Sequence, residues 1–212
     1  MARAPSSAGK TRLAPHLSPS RLTALRAALL ADTLRMLEIL PDVTIFFTPD
    51  EAEPDIAPLC AATIPRVPQG SGGLGARMRM ALEHLLHTQH CDAALLVGSD
   101  IPLLSADHLA EAAETLRASG GVVLGPADDG GYYLIGMTQV HAGLFEQIAW
   151  GTESVLTDTL RAAERSGVEA RLVRSAYDVD TIDDLRRLEH DLASAPAGVG
   201  PEARRWFRDG AA

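Results

Sequence analysis

The chain has 212 residues with a formal net charge of -9, and 46% of its residues are hydrophobic. This length and composition are typical of one globular domain, and the acidic balance argues against nonspecific nucleic-acid binding, which needs a basic surface. The sequence shows no apolar run of membrane-spanning length and no signal peptide, so we expect a cytoplasmic protein that binds neither membranes nor nucleic acids.

The predicted elements alternate between helices and strands along the chain. Residues 1–16 are predicted to form a loop, and Ser18 and Pro19 have the residue types of a helix N-cap and a first helical position. Helices are predicted at 21–40, 54–62, 75–89, 105–118, 153–166 and 181–192, and strands at 43–48, 62–67, 93–97, 122–124, 132–137 and 169–174. This alternation predicts an α/β fold with a mostly parallel sheet that helices cover on both faces.

The last twenty residues differ from the rest in composition. We expect one domain over residues 1–192, followed over 193–212 by a linker of small residues and a short helix at 202–208. This helix carries Trp206 and Phe207, which would pack either onto the domain or onto a partner subunit in a homodimer.

Lys10 is the only lysine in the chain, beside 18 arginines. It lies in a Gly-Lys-Thr-Arg segment, where a compact ammonium contacts phosphate in a way that a guanidinium does not. The lysine therefore predicts phosphate binding, although a composition biased toward arginine also leaves one lysine by chance.

Two glycine-containing segments match nucleotide-binding motifs but lack the buried strand that should precede them. Residues 4–11 are nearly a P-loop with only three residues before them, and residues 70–75 match a dinucleotide fingerprint after a segment containing two prolines. We therefore predict neither a P-loop enzyme nor a dehydrogenase. The glycines still leave free backbone N–H groups at a helix start, where an anion or a sugar can bind.

Three acidic segments stand beside predicted strands and helices. Asp100 follows the apolar strand at 93–97, and Asp129 lies in an Asp-Asp-Gly-Gly turn. Asp180 precedes the last predicted helix. The carboxyl end of a parallel strand is where α/β folds bind ligands, and Mg²⁺ takes one or two carboxylates together with substrate phosphates. The structural alternatives for these residues are a capped turn at Asp100, a hairpin turn at Asp129 and a helix N-cap at Asp180, and at Asp100 the pattern favours the functional role.

Taken together, these segments resemble the DUF2064 family of nucleotide-diphospho-sugar transferase-like proteins. The matching segments are residues 10–15, 98–102, 125–132, Trp150 and 178–185, and the resemblance extends to about Leu188. The family includes glycosyltransferases assigned to arsenosugar biosynthesis, and it belongs to the GT-A superfamily with the molybdenum cofactor and phospholactate guanylyltransferases. The resemblance implies a three-layer α/β/α GT-A-like fold, a nucleotide diphosphate ligand and Mg²⁺ or Mn²⁺.

The resemblance also implies roles for individual residues. Asp100 and Asp180 would bind the metal, and Lys10, Arg12, Gly75 and Arg77 would bind phosphate or nucleotide, with Met78 in the same string. Asp100, Asp129 and Lys10 would be catalytic, and Gly130, Gly131 and Trp150 would line the acceptor side. Two departures from the family stand out. Gly73 replaces an acidic residue, and we expect the family's first strand to be truncated here. Either the true start lies upstream, which we favour, or the sheet lacks that strand.

The resemblance leaves two reactions open, and a third alternative belongs to another class of function. We expect glycosyl transfer from a nucleotide diphosphate sugar to a small-molecule acceptor. Nucleotidyl transfer from an NTP to a phosphorylated small molecule would use the same carboxylates and cations. A nucleotide-binding domain without catalysis is the third alternative, and Gly73 and the truncated strand favour it.

Overall fold

The computed structural model describes residues 1–210, which form two compact units. The first unit contains residues 2–68, 99–104 and the chain from 178 onward, and the second contains residue 1, 69–98 and 105–177. The last two residues of the predicted C-terminal segment lie outside the described residues. The expectation of a single domain over residues 1–192 stays a prediction.

The first unit contains a three-stranded parallel sheet in the order β1-β2-β3. Its strands are β1 (Ala2–Arg3), β2 (Ile45–Thr48) and β3 (Arg66–Pro68), and its helices are α1 (Pro19–Leu37), α2 (Glu53–Ile56) with a following 3₁₀ turn (Ala57–Leu59), α6 (Ile182–Ser194) and α7 (Pro201–Asp209). Ile45, Phe46 and Phe47 of β2 are buried, as a central strand requires. A core cluster joins Phe47 and Ile45 of β2 to Leu30 and Leu34 of α1.

Helix α1 starts where the sequence predicts. The Ser18 hydroxyl accepts a hydrogen bond from the backbone N–H of Arg21, and Pro19 occupies the first helical position. Helix α7 packs on α1, because Trp206 Nε1 donates to the Arg21 carbonyl at 3.0 Å and the Arg21 guanidinium lies 3.9 Å from the Trp206 ring centroid. Trp206 is therefore buried against its own chain.

The second unit contains a four-stranded sheet in the order β4-β6-β5-β7. Its strands are β4 (Ala94–Val97), β5 (Val122–Pro126), β6 (Tyr132–Met137) and β7 (Ala170–Leu172), and its helices are α3 (Leu74–Glu83) with a following π-helix (His84–Thr88), α4 (Ala106–Ser119), a 3₁₀ turn (Ala142–Phe145) and α5 (Val155–Arg165). Strand β6 runs antiparallel to both of its neighbours, and β5 pairs with β7 in parallel.

The predicted α/β fold with mostly parallel pairing is confirmed. Within residues 1–210, three of the five strand pairings are parallel. The prediction of a loop over 1–16 is wrong at its start, because Ala2 and Arg3 pair with β2. The helix predicted at 75–89 is also wrong at its end, because α3 stops at Glu83 and wider π turns follow. No helix in the described part of the chain is long and apolar enough to cross a membrane.

Candidate functional site

The Lys10 ammonium lies between two carboxylates of the first unit. Its Nζ is 3.0 Å from Asp100 Oδ2 and 3.2 Å from Asp180 Oδ1, and it donates a third hydrogen bond to the Val179 carbonyl at 2.7 Å. The Lys10 side chain is only 3% exposed, whereas the side chains of Asp100 and Asp180 are 51% and 35% exposed. We call these three residues the Lys10 cluster; its carboxylates are open to solvent while its cation is buried.

Burial and the two carboxylates act in opposite directions on the pKa of Lys10. Burial of the ammonium lowers this pKa, but the charges and hydrogen bonds of Asp100 and Asp180 outweigh burial, so the pKa is raised above 10.5. Lys10 is therefore a fixed positive charge at neutral pH.

Local hydrogen bonds position the two carboxylates. Asp100 follows β4 after Gly98 and Ser99, and the Thr33 hydroxyl of α1 donates to the Ser99 carbonyl at 3.2 Å. Asp180 precedes α6, and its backbone N–H donates to Asp184 Oδ2 at 3.1 Å within the capping box of that helix. Both carboxylates are thus held by elements of the first unit.

The Lys10 cluster borders a cavity of about 250 Å³. The cavity is lined by Arg3, Gly9, Lys10, Arg26, Leu30, Ser99, Asp100 and Asp180. Neither Arg3 nor Arg26 is predicted from the sequence. The available signal was the position of Arg26, which stands four residues from both Leu22 and Leu30 and so interrupts the apolar stripe of α1.

The carboxylates fit a divalent cation that the substrate helps to bind. Mg²⁺ commonly uses one or two carboxylates, with water and substrate phosphates completing its coordination. Asp100 and Asp180 supply two half-exposed carboxylates that converge on one point, Lys10 Nζ. Within residues 1–210 no cluster of three or more His, Cys, Asp or Glu side chains could hold a metal alone.

Arg12 and the remaining predicted site residues are not members of the Lys10 cluster. Arg12 is exposed and does not line the cavity. The other predicted site residues belong to the second unit: Gly75, Arg77, Met78, Asp129, Gly130, Gly131 and Trp150. Their assignment to nucleotide or acceptor binding stays a prediction.

Two of these second-unit residues, Gly75 and Asp129, make defined local contacts. Gly75 is buried at the start of α3, where a Cβ atom would lie 2.6 Å from the Trp150 ring. Asp129 is exposed, and its Oδ1 accepts a hydrogen bond from the backbone N–H of Gly131 at 2.8 Å. The Asp-Asp-Gly-Gly segment therefore forms the turn between β5 and β6, as the hairpin interpretation expects.

Comparison with known proteins supports the fold. The family model of DUF2064, described as an uncharacterized protein conserved in bacteria, matches residues 26–152. The structure is similar to a crystal structure from Desulfovibrio desulfuricans G20 of a protein provisionally named a nucleotide-diphospho-sugar transferase. The TM-score is 0.88 at 27% identity, over 98% of this chain and 91% of that chain. No curated protein matches the chain.

Proposed function

The chain belongs to the DUF2064 family, and we propose that it is a metal-dependent transferase that moves a glycosyl group from a nucleotide diphosphate sugar to a small acceptor. The observation that carries this proposal is the Lys10 cluster at the edge of a cation-lined cavity. The provisional name of the similar crystal structure supports the same class of substrate.

Each member of the Lys10 cluster has a role in this reaction. Asp100 and Asp180 would hold Mg²⁺ or Mn²⁺. When bound, this ion would neutralise the negative charge that develops on the leaving diphosphate. The Lys10 ammonium would stabilise the same charge, since it is a fixed cation that needs no reorganisation during the reaction. Arg12, which is exposed, would contact the phosphates only from outside the cavity.

Glycosyl transfer also needs an acceptor. The bond between the anomeric carbon and the diphosphate oxygen breaks, and the acceptor oxygen bonds to the anomeric carbon while its proton leaves. Asp129 would accept this proton. Its Oδ1 accepts a hydrogen bond from the backbone N–H of Gly131, and Gly130 lies in the same turn. Gly131 and Trp150 would line the acceptor side.

The test measures nucleotide release from a panel of NDP-sugars with Mg²⁺ or Mn²⁺. We expect Asp100→Asn and Asp180→Asn each to lower turnover about 100-fold or more, because each removes a charge that holds the metal while keeping the side-chain size. The matched control is Asp183→Asn, because Asp183 is 83% exposed on the surface of α6 and pairs only with Arg186 in the described chain. Chelation by EDTA should abolish turnover in the wild type.

The products separate the competing functions. Free NDP together with a glycosylated acceptor supports glycosyl transfer, whereas pyrophosphate released from an NTP identifies nucleotidyl transfer. Full turnover in Asp100→Asn would refute the metal role of Asp100. If the wild type binds nucleotides but transfers nothing in any combination, the chain is a nucleotide-binding domain.

A further inference from the structure

The cavity beside the Lys10 cluster contains more positive than negative charge. Three cations line it, Arg3, Lys10 and Arg26, against two carboxylates, Asp100 and Asp180, so its formal charge is 3 − 2 = +1. The whole chain has a net charge of -9. Because Lys10 forms ion pairs with both carboxylates, the excess positive charge resides on the two arginines.

Arg3 and Arg26 both lie next to Gly9. A Cβ atom on Gly9 would lie 3.5 Å from Arg3 Cδ and 3.6 Å from Arg26 Nη1. Burial lowers the pKa of Arg26, Asp100 raises it and the neighbouring charge of Arg3 lowers it again, with a net decrease. The neighbouring positive charges repel, and an anion bound beside them would offset this repulsion.

Backbone carbonyls position the two arginines without neutralising them. Arg3 Nη1 donates to the Ala8 carbonyl at 2.9 Å, and Arg26 Nη1 donates to the Ser7 carbonyl. Within residues 1–210 neither guanidinium forms an ion pair with a carboxylate, and the buried Nε of Arg26 has no hydrogen-bond partner. Arg26 Nη2 also donates to the Thr23 hydroxyl at 3.4 Å. Since a guanidinium carries five N–H donors, each of the two arginines still keeps terminal N–H donors for a ligand.

We propose that Arg3 and Arg26 form a phosphate-binding subsite that binds its phosphate without a divalent cation. Guanidinium groups match phosphate oxygens in bidentate geometry, and the cavity is large enough for a phosphate group. Lys10 offsets one of the two carboxylate charges and the two arginines outweigh the other, so the cavity presents a net positive charge to an incoming anion without a metal. This inference rests on the proposed function and adds that the nucleotide diphosphate binds before the metal.

The test is a calorimetric titration with inorganic pyrophosphate in the presence of EDTA. We expect Arg3→Gln and Arg26→Gln each to weaken pyrophosphate binding about tenfold or more, because each removes a charge-assisted contact. Arg35→Gln is the matched control, because Arg35 lies on α1 like Arg26 and its side chain is 62% exposed. This control should bind pyrophosphate as the wild type does.

One further variant and further ligands make the result specific. Arg26→Lys keeps the positive charge but loses the bidentate donor geometry of the guanidinium. Its affinity for pyrophosphate should therefore lie between those of the wild type and Arg26→Gln. GDP and UDP should show the same dependence on both arginines, and uncharged nucleosides should show none. Circular dichroism of each variant checks that it folds, and Arg3→Gln keeps the test valid if Arg26→Gln does not fold, since Arg3 is exposed.

Several outcomes would overturn the subsite. One is a wild type that binds no pyrophosphate at millimolar concentration in EDTA, and another is pyrophosphate affinity unchanged in both Arg3→Gln and Arg26→Gln. The proposed function fails by different results: intact pyrophosphate binding with no NDP-sugar turnover would keep the subsite and reject the transferase. If turnover depends on Asp100 but neither arginine variant changes pyrophosphate binding or turnover, the transferase is kept and the subsite is rejected.

Discussion

At the residue scale, the contacts of Lys10 explain why this position has a lysine in a chain whose other 18 basic residues are arginines. Its ammonium has three donors, and they are used by three oxygens, from Asp100, Asp180 and Val179. A compact point charge can lie between three acceptors that converge from different directions, whereas a planar guanidinium presents its donors in one plane. The geometry of the site therefore explains this lysine better than chance composition does.

Gly75 provides a prediction about packing in the second unit. A Cβ atom at this position would lie 2.6 Å from three atoms of the Trp150 ring, closer than van der Waals contact allows. We expect Gly75→Ala to lower the free energy of unfolding by about 1–3 kcal/mol, because the indole must move away from a crowded position. The measurement is the urea midpoint at constant m-value.

Gly198→Ala is the control for Gly75→Ala. A Cβ atom on Gly198 would meet nothing within 4 Å, so the substitution should change stability by no more than about 0.5 kcal/mol. In the double variant Gly75→Ala/Trp150→Leu, the loss should be smaller than the sum of the two single losses, since the smaller side chain relieves the clash. Equal stability of Gly75→Ala and the wild type would contradict this account of the Gly75 position.

At the element scale, the N-terminus of α6 depends on one carboxylate. Asp184 Oδ2 accepts hydrogen bonds from the backbone N–H of Thr181 at 2.7 Å, from its hydroxyl at 2.7 Å, and from the backbone N–H of Asp180 at 3.1 Å. We expect Asp184→Ala to lower the free energy of unfolding by about 1–2 kcal/mol at neutral pH, since two backbone donors lose their acceptor. Urea denaturation at several pH values measures this loss.

The pH dependence of this loss has a definite sign. Burial raises the pKa of Asp184, but the hydrogen bonds from Thr181 and Asp180 outweigh it and hold the pKa below 3.8. The stabilisation is therefore present above the unfolded pKa of about 3.9 and is lost as the pH falls through the folded value. The difference between wild type and Asp184→Ala should shrink in acid, and a difference that stays constant with pH would contradict the role of the carboxylate.

Asp183→Ala is the matched control on the same turn. Asp183 carries the same charge next to Asp184, but it is exposed and pairs with Arg186 on the surface of α6. Its removal should cost about 0.3–1 kcal/mol, the usual size of a helix-dipole contribution. If Asp183→Ala lowered the free energy of unfolding as much as Asp184→Ala does, the effect of Asp184 would come from its charge and not from its capping hydrogen bonds.

The sequence predicts elements best where one local signal dominates. Strand β6 occurs at residues 132–137 as predicted, because its apolar run is bounded by a glycine turn. Helix α1 begins at Pro19 after the N-cap at Ser18, as predicted. The π-helix over His84–Thr88 could not be predicted, since its hydrogen bonds differ from those of an α-helix while the pattern of apolar residues does not.

At the scale of the whole molecule, the site combines residues from distant parts of the sequence. The order of the motifs predicts Lys10, Asp100 and Asp180, and the structure joins all three through hydrogen bonds and ion pairs. The contribution of Arg3 and Arg26 could not be predicted in the same way, because neither lies in a motif, although Arg26 interrupts the apolar stripe of α1. Only the fold brings both of them next to Gly9.

The negative charge of the whole chain contrasts with the positive charge of the cavity, and this contrast predicts how ligands stabilise the fold. A chain with a net charge of -9 repels a nucleotide at long range, so we expect an anion to bind at the cavity with a local excess of cations. A ligand that binds only the folded state at about 100 times its dissociation constant adds about 2.7 kcal/mol. For a chain of this length we expect one NDP-sugar with Mg²⁺ to raise the Tm by about 5–10 °C.

Differential scanning fluorimetry with several NDP-sugars, with and without Mg²⁺, measures this rise in Tm. Asp100→Asn should lose the part of the shift that depends on Mg²⁺ and keep the part that occurs in EDTA, because the arginine pair is intact in that variant. Arg35→Gln should shift like the wild type, since its side chain is exposed and does not line the cavity. If no NDP-sugar changes the Tm in either condition, nucleotide diphosphates are not ligands of this cavity.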